Sequence, residues 1–125
     1  IGVATPGAVR ALITQLLGAG AEPSTLAVHF HDTYGQALVN TVEALRCGLT
    51  TVDASAGGLG GCPFAKSASG NLATEDLVFL LDGLGVNTGV DLAALARTSL
   101  WLAGRLGRPS PSRTVQALAR GFELE

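Results

Sequence analysis

Residues 26–33, Leu26-Ala27-Val28-His29-Phe30-His31-Asp32-Thr33, alternate in character from one side chain to the next. Leu26, Val28 and Phe30 fall on one face of an extended chain, and Ala27, His29 and His31 on the other. This period of two predicts a strand with an apolar side to pack and a histidine side to do chemistry. Upstream, Val9, Leu12, Ile13, Leu16 and Leu17 recur at helical spacing behind the turn Thr5-Pro6-Gly7, and Gly18 and Gly20 end the pattern. Downstream, Leu38, Val42 and Leu45 predict a helix between Gly35 and Cys47, closed by Gly48. The β-branched stretch 50–55, TTVDAS, then predicts a second strand. The order α, β, α, β implies βαβ units and a parallel sheet, so the fold class is α/β.

After Ser55 the segment 56–71, AGGLGGCPFAKSASGN, has neither period and reads as a long loop. Thr74 is expected to cap a helix carrying Glu75 and Asp76 in its first turn and Leu77, Leu80, Leu81 and Leu84 as its stripe. Asp91 is placed to cap another, with Leu92, Leu95 and Leu102, and Ser112 a last one ending near Gly121. No repeat, low-complexity tract or internal boundary is visible, so residues 1–125 read as part of a single domain. Two parallel strands flanked by five helices do not make an independent architecture. A (β/α)8 barrel takes about 250 residues, so this chain reads as about half of one, weighted towards its C-terminal end and incomplete alone. With no Met among its 125 residues, it is expected to belong to a longer reading frame.

At 47% hydrophobic, 14% charged and net charge -2, the chain is an unpromising binder of phosphate backbones, so nucleic acid is not an expected partner. Nor does any apolar run approach the roughly 18 residues that span a bilayer, and no membrane association is expected. Two cysteines are too few for a disulfide framework or a Cys-rich zinc site, which points to a reducing compartment.

His29 and His31, two apart on a strand, leave the same face, so both ring nitrogens can reach one cation. In a barrel they would lie at the C-terminal mouth, where active sites are built. The alternative is a pair of hydrogen-bonded core histidines. Two imidazoles leave most coordination positions open, so Zn²⁺, Mn²⁺, Fe²⁺ and Mg²⁺ all remain possible by this reasoning. Asp32 reads either as a carboxylate that orients a ligating histidine or, slightly better, as a cap for the helix that follows. Asp53 shares its strand face with Thr51 and Ser55, where an inward carboxylate needs a hydrogen-bonded network around it. Gly58, Gly60 and Gly61 let the loop around Cys62 turn tightly and approach a ligand, as a lid does. Cys62 is in a polar setting suited to a reactive thiol, whereas Cys47, near the end of an amphipathic helix, is suited to packing. Asn71 could offer a carbonyl oxygen to a metal or merely stabilise a turn.

Three segments together resemble the 3-hydroxy-3-methylglutaryl-CoA lyases of the DRE-TIM metallolyase superfamily: 29–37, HFHDTYGQA; 58–63, GLGGCP; and 68–76, ASGNLATED. The H-x-H-D strand end is shared with related metal-dependent aldolases and Claisen-type synthases, and the cysteine in the Gly-rich loop is what points to the lyases. That resemblance implies a (β/α)8 barrel of which this chain is the C-terminal part, from just after the sixth strand, with the N-terminal half missing. It implies cleavage of 3-hydroxy-3-methylglutaryl-CoA to acetyl-CoA and acetoacetate with Mg²⁺ or Mn²⁺. His29, His31 and Asn71 would be the metal ligands and Cys62 the acid that protonates the acetyl-CoA carbanion. The family also draws an aspartate and an arginine from its first strand, and neither Asp32 nor Arg46 takes their place. An acyl-CoA is the expected partner, with self-association into a homo-oligomer, and the Ala-, Leu-, Gly- and Arg-rich usage suggests a bacterial cytoplasm. The competing readings are another metal-dependent aldolase or acyltransferase of the same superfamily, and a non-catalytic barrel fragment that self-associates.

Overall fold

The computed structural model describes residues 1–61 and 70–122, in two compact units. The division passes through the Gly-rich stretch, which the sequence shows as a loop but not as a boundary.

The first unit comprises Ile1–Ala54 and Gly61–Leu72. Helix α1 (Pro6–Gly18) starts with Pro at its first position, where a missing N–H costs nothing, behind an extended Thr5. Strand β1 (Ala27–His29), helix α2 (Ala37–Arg46) and strand β2 (Thr51–Asp53) follow. The two strands pair in parallel, in the register Ala27 with Thr51, Val28 with Val52 and His29 with Asp53. Each strand is exposed at its ends and half-buried at its central valine, so the histidine side faces outward and the apolar side is covered. Val9, Ile13, Ala44 and Leu49 form the core, with Leu26, Val28, Phe30 and Cys47 packed against it. Cys47 is therefore a packing residue.

The helix stripes differ in detail from the expected ones. In α1 the buried residues are Val9 and Ile13, while Leu12 remains 58% exposed. In α2 the buried face is Ala37, Asn40, Thr41, Glu43 and Ala44, and Leu38, Val42 and Leu45 are only half-buried. Polar side chains are tolerated there because each makes at least one hydrogen bond. The Thr41 hydroxyl donates to Ala37 O at 2.9 Å, Asn40 Nδ2 donates to Ala4 O at 2.9 Å, and Glu43 accepts from Arg10 Nε at 2.5 Å. That last bond is also an ion pair, and it holds the Glu43 carboxyl below the usual carboxylate range.

The second unit comprises Ser55–Gly60 and Ala73–Glu125. Here a short 3-10 turn, Ala56–Gly58, packs with α3 (Thr74–Gly83) and α4 (Leu92–Leu106), and α5 (Arg113–Phe122) packs on both helices. Leu77, Val78, Leu81, Ala96 and Val115 are its buried apolar residues. Two of the expected caps are present: Asp91 Oδ1 accepts from Ala94 N at 2.9 Å, and Ser112 Oγ from Val115 N at 3.1 Å. Thr74 is not a cap; it is the first residue of α3, and the capping position is Ala73, which has no side-chain acceptor. Nor do Glu75 and Asp76 serve simply as charges near a helix start. Glu75 is fully buried, its two oxygens each 3.0 Å from Gly57 N and one of them accepting from Ser99 Oγ. Asp76 Oδ1 accepts from Ser112 Oγ and Thr114 N, both at 2.8 Å, tying α3 to the start of α5. Among the described residues no helix is long and apolar enough to cross a membrane.

Candidate metal centre

Beyond β1 the chain stays extended far enough for His31 to form an antiparallel backbone bridge with Asn71. Two hydrogen bonds hold the segments together, Leu72 N to Phe30 O at 3.0 Å and Asp32 N to Gly70 O at 3.2 Å. Gly70 reaches this pairing with φ +95, in the left-handed region that favours glycine. The backbone of Asn71, forty residues on in sequence, is thereby set beside His31.

The His29 and His31 rings lie edge to face, with centroids 5.3 Å apart and planes at 73°. An ion about 2 Å from one nitrogen of each ring suits such a separation. His31 Nδ1 is buried and has no hydrogen-bond partner among the described residues. Burial, the largest cause, pushes the His31 pKa below its ordinary value, and His29 adds to it. A neutral imidazole with a free lone pair is what a divalent cation requires. The donor set is two imidazoles with the amide-bearing Asn71 alongside; among the described residues no group of three or more His, Cys, Asp or Glu gathers anywhere. Such a set suits a cation that also takes oxygen ligands from substrate.

The remaining candidates fall as follows. Asp32 Oδ1 accepts from Ala37 N at 2.8 Å, at the start of α2. Asp53 lies on the exposed side of β2 opposite His29, and among the described residues no hydrogen-bonded network surrounds its carboxylate. Gly58 and Gly60 have φ +63 and +97, and a side chain at Gly61 would meet open space. Cys62 lies outside the described residues.

Two polar residues beside the histidines carry no local sequence signal of a site. Among the described residues, Asn40, 2% exposed, has no partner for Oδ1, and buried Thr33 Oγ1 has none either. The one clue to Asn40 in the sequence is its membership of the helical set Ala37, Asn40, Thr41 and Ala44, all small or polar. Together with His29 and His31, Asn40 lines a cleft of about 490 Å³ between segment 1–4, α1 and β1.

Known lyases are similar to this chain in sequence and in structure. It is 51% identical over 120 residues to the mitochondrial hydroxymethylglutaryl-CoA lyase of Rattus norvegicus, an alignment covering 96% of this chain and 37% of the relative. The Arabidopsis thaliana enzyme of the same name is also 51% identical over 120 residues, with 25% of its length covered. Among solved structures, the Bacillus subtilis HMG-CoA lyase superposes with a TM-score of 0.90 at 45% identity, over 94% of this chain and 39% of that one. The Acinetobacter baumannii enzyme, solved in complex with coenzyme A and 3-methylmalate, gives 0.84 at 42% identity, over 95% and 37%. The chain thus spans between a quarter and two-fifths of these relatives' length. A family model described as HMGL-like matches residues 1–101. On that match, and with a mixed helix-and-strand fold shared with HMG-CoA lyases, the chain belongs to the HMGL-like family.

Proposed function

We propose that this chain forms the C-terminal part of a single (β/α)8 barrel that cleaves 3-hydroxy-3-methylglutaryl-CoA to acetyl-CoA and acetoacetate. Its substrate class is an acyl-CoA, its assembly a homo-oligomer and its setting a bacterial cytoplasm. His29, His31 and Asn71 are the residues that would hold Mg²⁺ or Mn²⁺. The observation that carries the reading is the buried His31 Nδ1, without a hydrogen-bond partner among the described residues, on a ring set against that of His29, with the Asn71 backbone bridged beside it. When bound there, a divalent cation supplies Lewis acidity towards the substrate's oxygens.

The chemistry needs a proton removed from the tertiary 3-hydroxyl, by a base outside this chain. As that oxygen becomes the ketone of acetoacetate, the C2–C3 bond breaks and its electron pair passes to C2, the α-carbon of the thioester. The resulting enolate takes a proton at C2 from Cys62 Sγ, giving acetyl-CoA. The thiol's assignment rests on the motif Gly58-Leu59-Gly60-Gly61-Cys62-Pro63. Supporting the histidines' share, β1 fixes their spacing, and the core on its other side keeps the strand in place.

Incubation of a complete barrel that carries this chain as its C-terminal part with Mn²⁺ and 3-hydroxy-3-methylglutaryl-CoA, with products followed by mass spectrometry, tests this reading; the 125 residues alone are expected to be inactive. Acetyl-CoA and acetoacetate in equal amounts are expected. Free coenzyme A without acetoacetate would mean thioester hydrolysis and would overturn it, as would absence of turnover.

A further inference from the structure

We infer that Asn40 is a positioning residue for His31, its side-chain carbonyl accepting the Nδ1 proton of the imidazole so that Nε2 keeps a lone pair for a cation. The inference rests on the reading of His31 as a metal ligand. Three buried side-chain atoms lack partners among the described residues: His31 Nδ1, Asn40 Oδ1 and Thr33 Oγ1. All belong to the first unit, and His31 and Asn40 line the same cleft. Buried polar atoms are nearly always hydrogen-bonded, and Asn40 Oδ1, which can only accept, and His31 Nδ1, which can donate, are complementary groups on residues that line one cleft.

The orientation of the Asn40 amide is not free. A carbonyl oxygen can only accept, so the contact with Ala4 O at 2.9 Å must be made by Nδ2. Oδ1 is therefore the end that remains, and it is an obligate acceptor. An imidazole facing it must carry its proton on Nδ1, which fixes the tautomer and leaves the lone pair on Nε2. Thr33 Oγ1 is compatible with this arrangement. The helix holds the amide steady as well, because Asn40 N donates to Gln36 O at 2.9 Å and so fixes the backbone that carries it in the first turns of α2.

Two variants separate the acceptor from the donor. Asn40→Asp keeps the acceptor and gives up the Nδ2 bond to Ala4; Asn40→Leu removes both. Histidine-selective ¹⁵N labelling of a complete barrel that carries this chain, at about pH 8.5, some two units above the ordinary imidazole value, reports which ring nitrogen carries the proton. Wild type and Asn40→Asp should both hold the His31 proton on Nδ1. Asn40→Leu should move it largely to Nε2 and weaken Mn²⁺ binding about 10- to 100-fold. An unchanged tautomer in Asn40→Leu overturns the proposal. So does an Asn40→Asp variant that behaves like Asn40→Leu, since the bond to Ala4 alone would then matter. If Asn40→Leu fails to fold, Asn40→Asp decides alone, and a proton on its His31 Nε2 is the contrary result. Failure of the metal reading looks different: wild type would bind no Mn²⁺, while the tautomers would still separate the two variants.

Discussion

In the unit built from Ser55–Gly60 and Ala73–Glu125, the side chains of Glu75, Ser99, Ser110 and Ser112 are buried, and each makes a hydrogen bond. In the unit that carries β1 and β2, His31 Nδ1, Thr33 Oγ1 and Asn40 Oδ1 are buried and find no partner among the described residues. An unsatisfied buried polar atom costs about 1–3 kcal/mol, so a fold tolerates several together only where something other than stability is served. The helical unit uses its polar groups to join elements: Glu75 ties α3 to Gly57 and to α4, and Asp76 ties α3 to α5. The strand unit leaves its polar groups beside two imidazoles, where a cation or substrate can use them.

The largest expected effect separates the two thiols. Cys62→Ser should lower turnover by about 10²- to 10⁴-fold with little change in KM, as removal of a positioned general acid does. Cys47→Ser should change turnover only a few-fold, roughly, because that thiol packs against the core of the first unit. Equal losses in steady-state assays of the two variants would take the thiol out of the chemistry.

Next in size is Glu75→Ala, which strands the Gly57 N–H and the Ser99 hydroxyl without an acceptor. Urea denaturation should show a loss of about 2–4 kcal/mol. A loss within about 0.5 kcal/mol, the range of ordinary surface substitutions, would break the contrast between the units. Smaller again are the caps. Ser112→Ala and Asp91→Ala should each lower stability by about 1 kcal/mol, Ser112 the more because it also donates to Asp76. A larger loss at Asp91 than at Ser112 would contradict the order.

The smallest effect tests an ion pair in the strand unit. Arg10 holds the Glu43 carboxyl below its ordinary range through their hydrogen bond, so the folded state binds that proton less readily than the unfolded chain. The contribution is therefore present above the ordinary glutamate value of about 4.3 and is lost as pH falls through the lower folded value. Arg10→Gln should be slightly less stable than wild type at neutral pH, and thermal unfolding should show the two converging in acid. A gap that widens in acid would reverse the sign.

Much of this architecture is legible in the sequence because its signals are local. The alternation through Leu26–His31 foretells β1 and the separation of its apolar side from the side of the histidines, and Asp91 and Ser112 sit where a cap must be read. Long-range partners are what local reading cannot see. Glu75 has the look of a charge at a helix start, yet its partners lie 18 residues back and 24 residues on. The stripe Leu38, Val42 and Leu45 competes with a buried face of small and polar residues that only tertiary contacts reveal. Asn40 is hidden for the same reason, since its partner Ala4 is 36 residues away. For the lyase chemistry itself, the motifs around His29, Cys62 and Asn71 are the legible part.

The most direct test is calorimetric titration of Mn²⁺ into a complete barrel that carries this chain as its C-terminal part and into its His29→Ala and His31→Ala variants. Binding by the wild type, weakened at least about 100-fold in both variants, is expected, since losing a ligand costs more than the 10- to 100-fold of losing a ligand's support. Wild-type affinity in both variants would make these histidines ordinary core residues and contradict the metal centre.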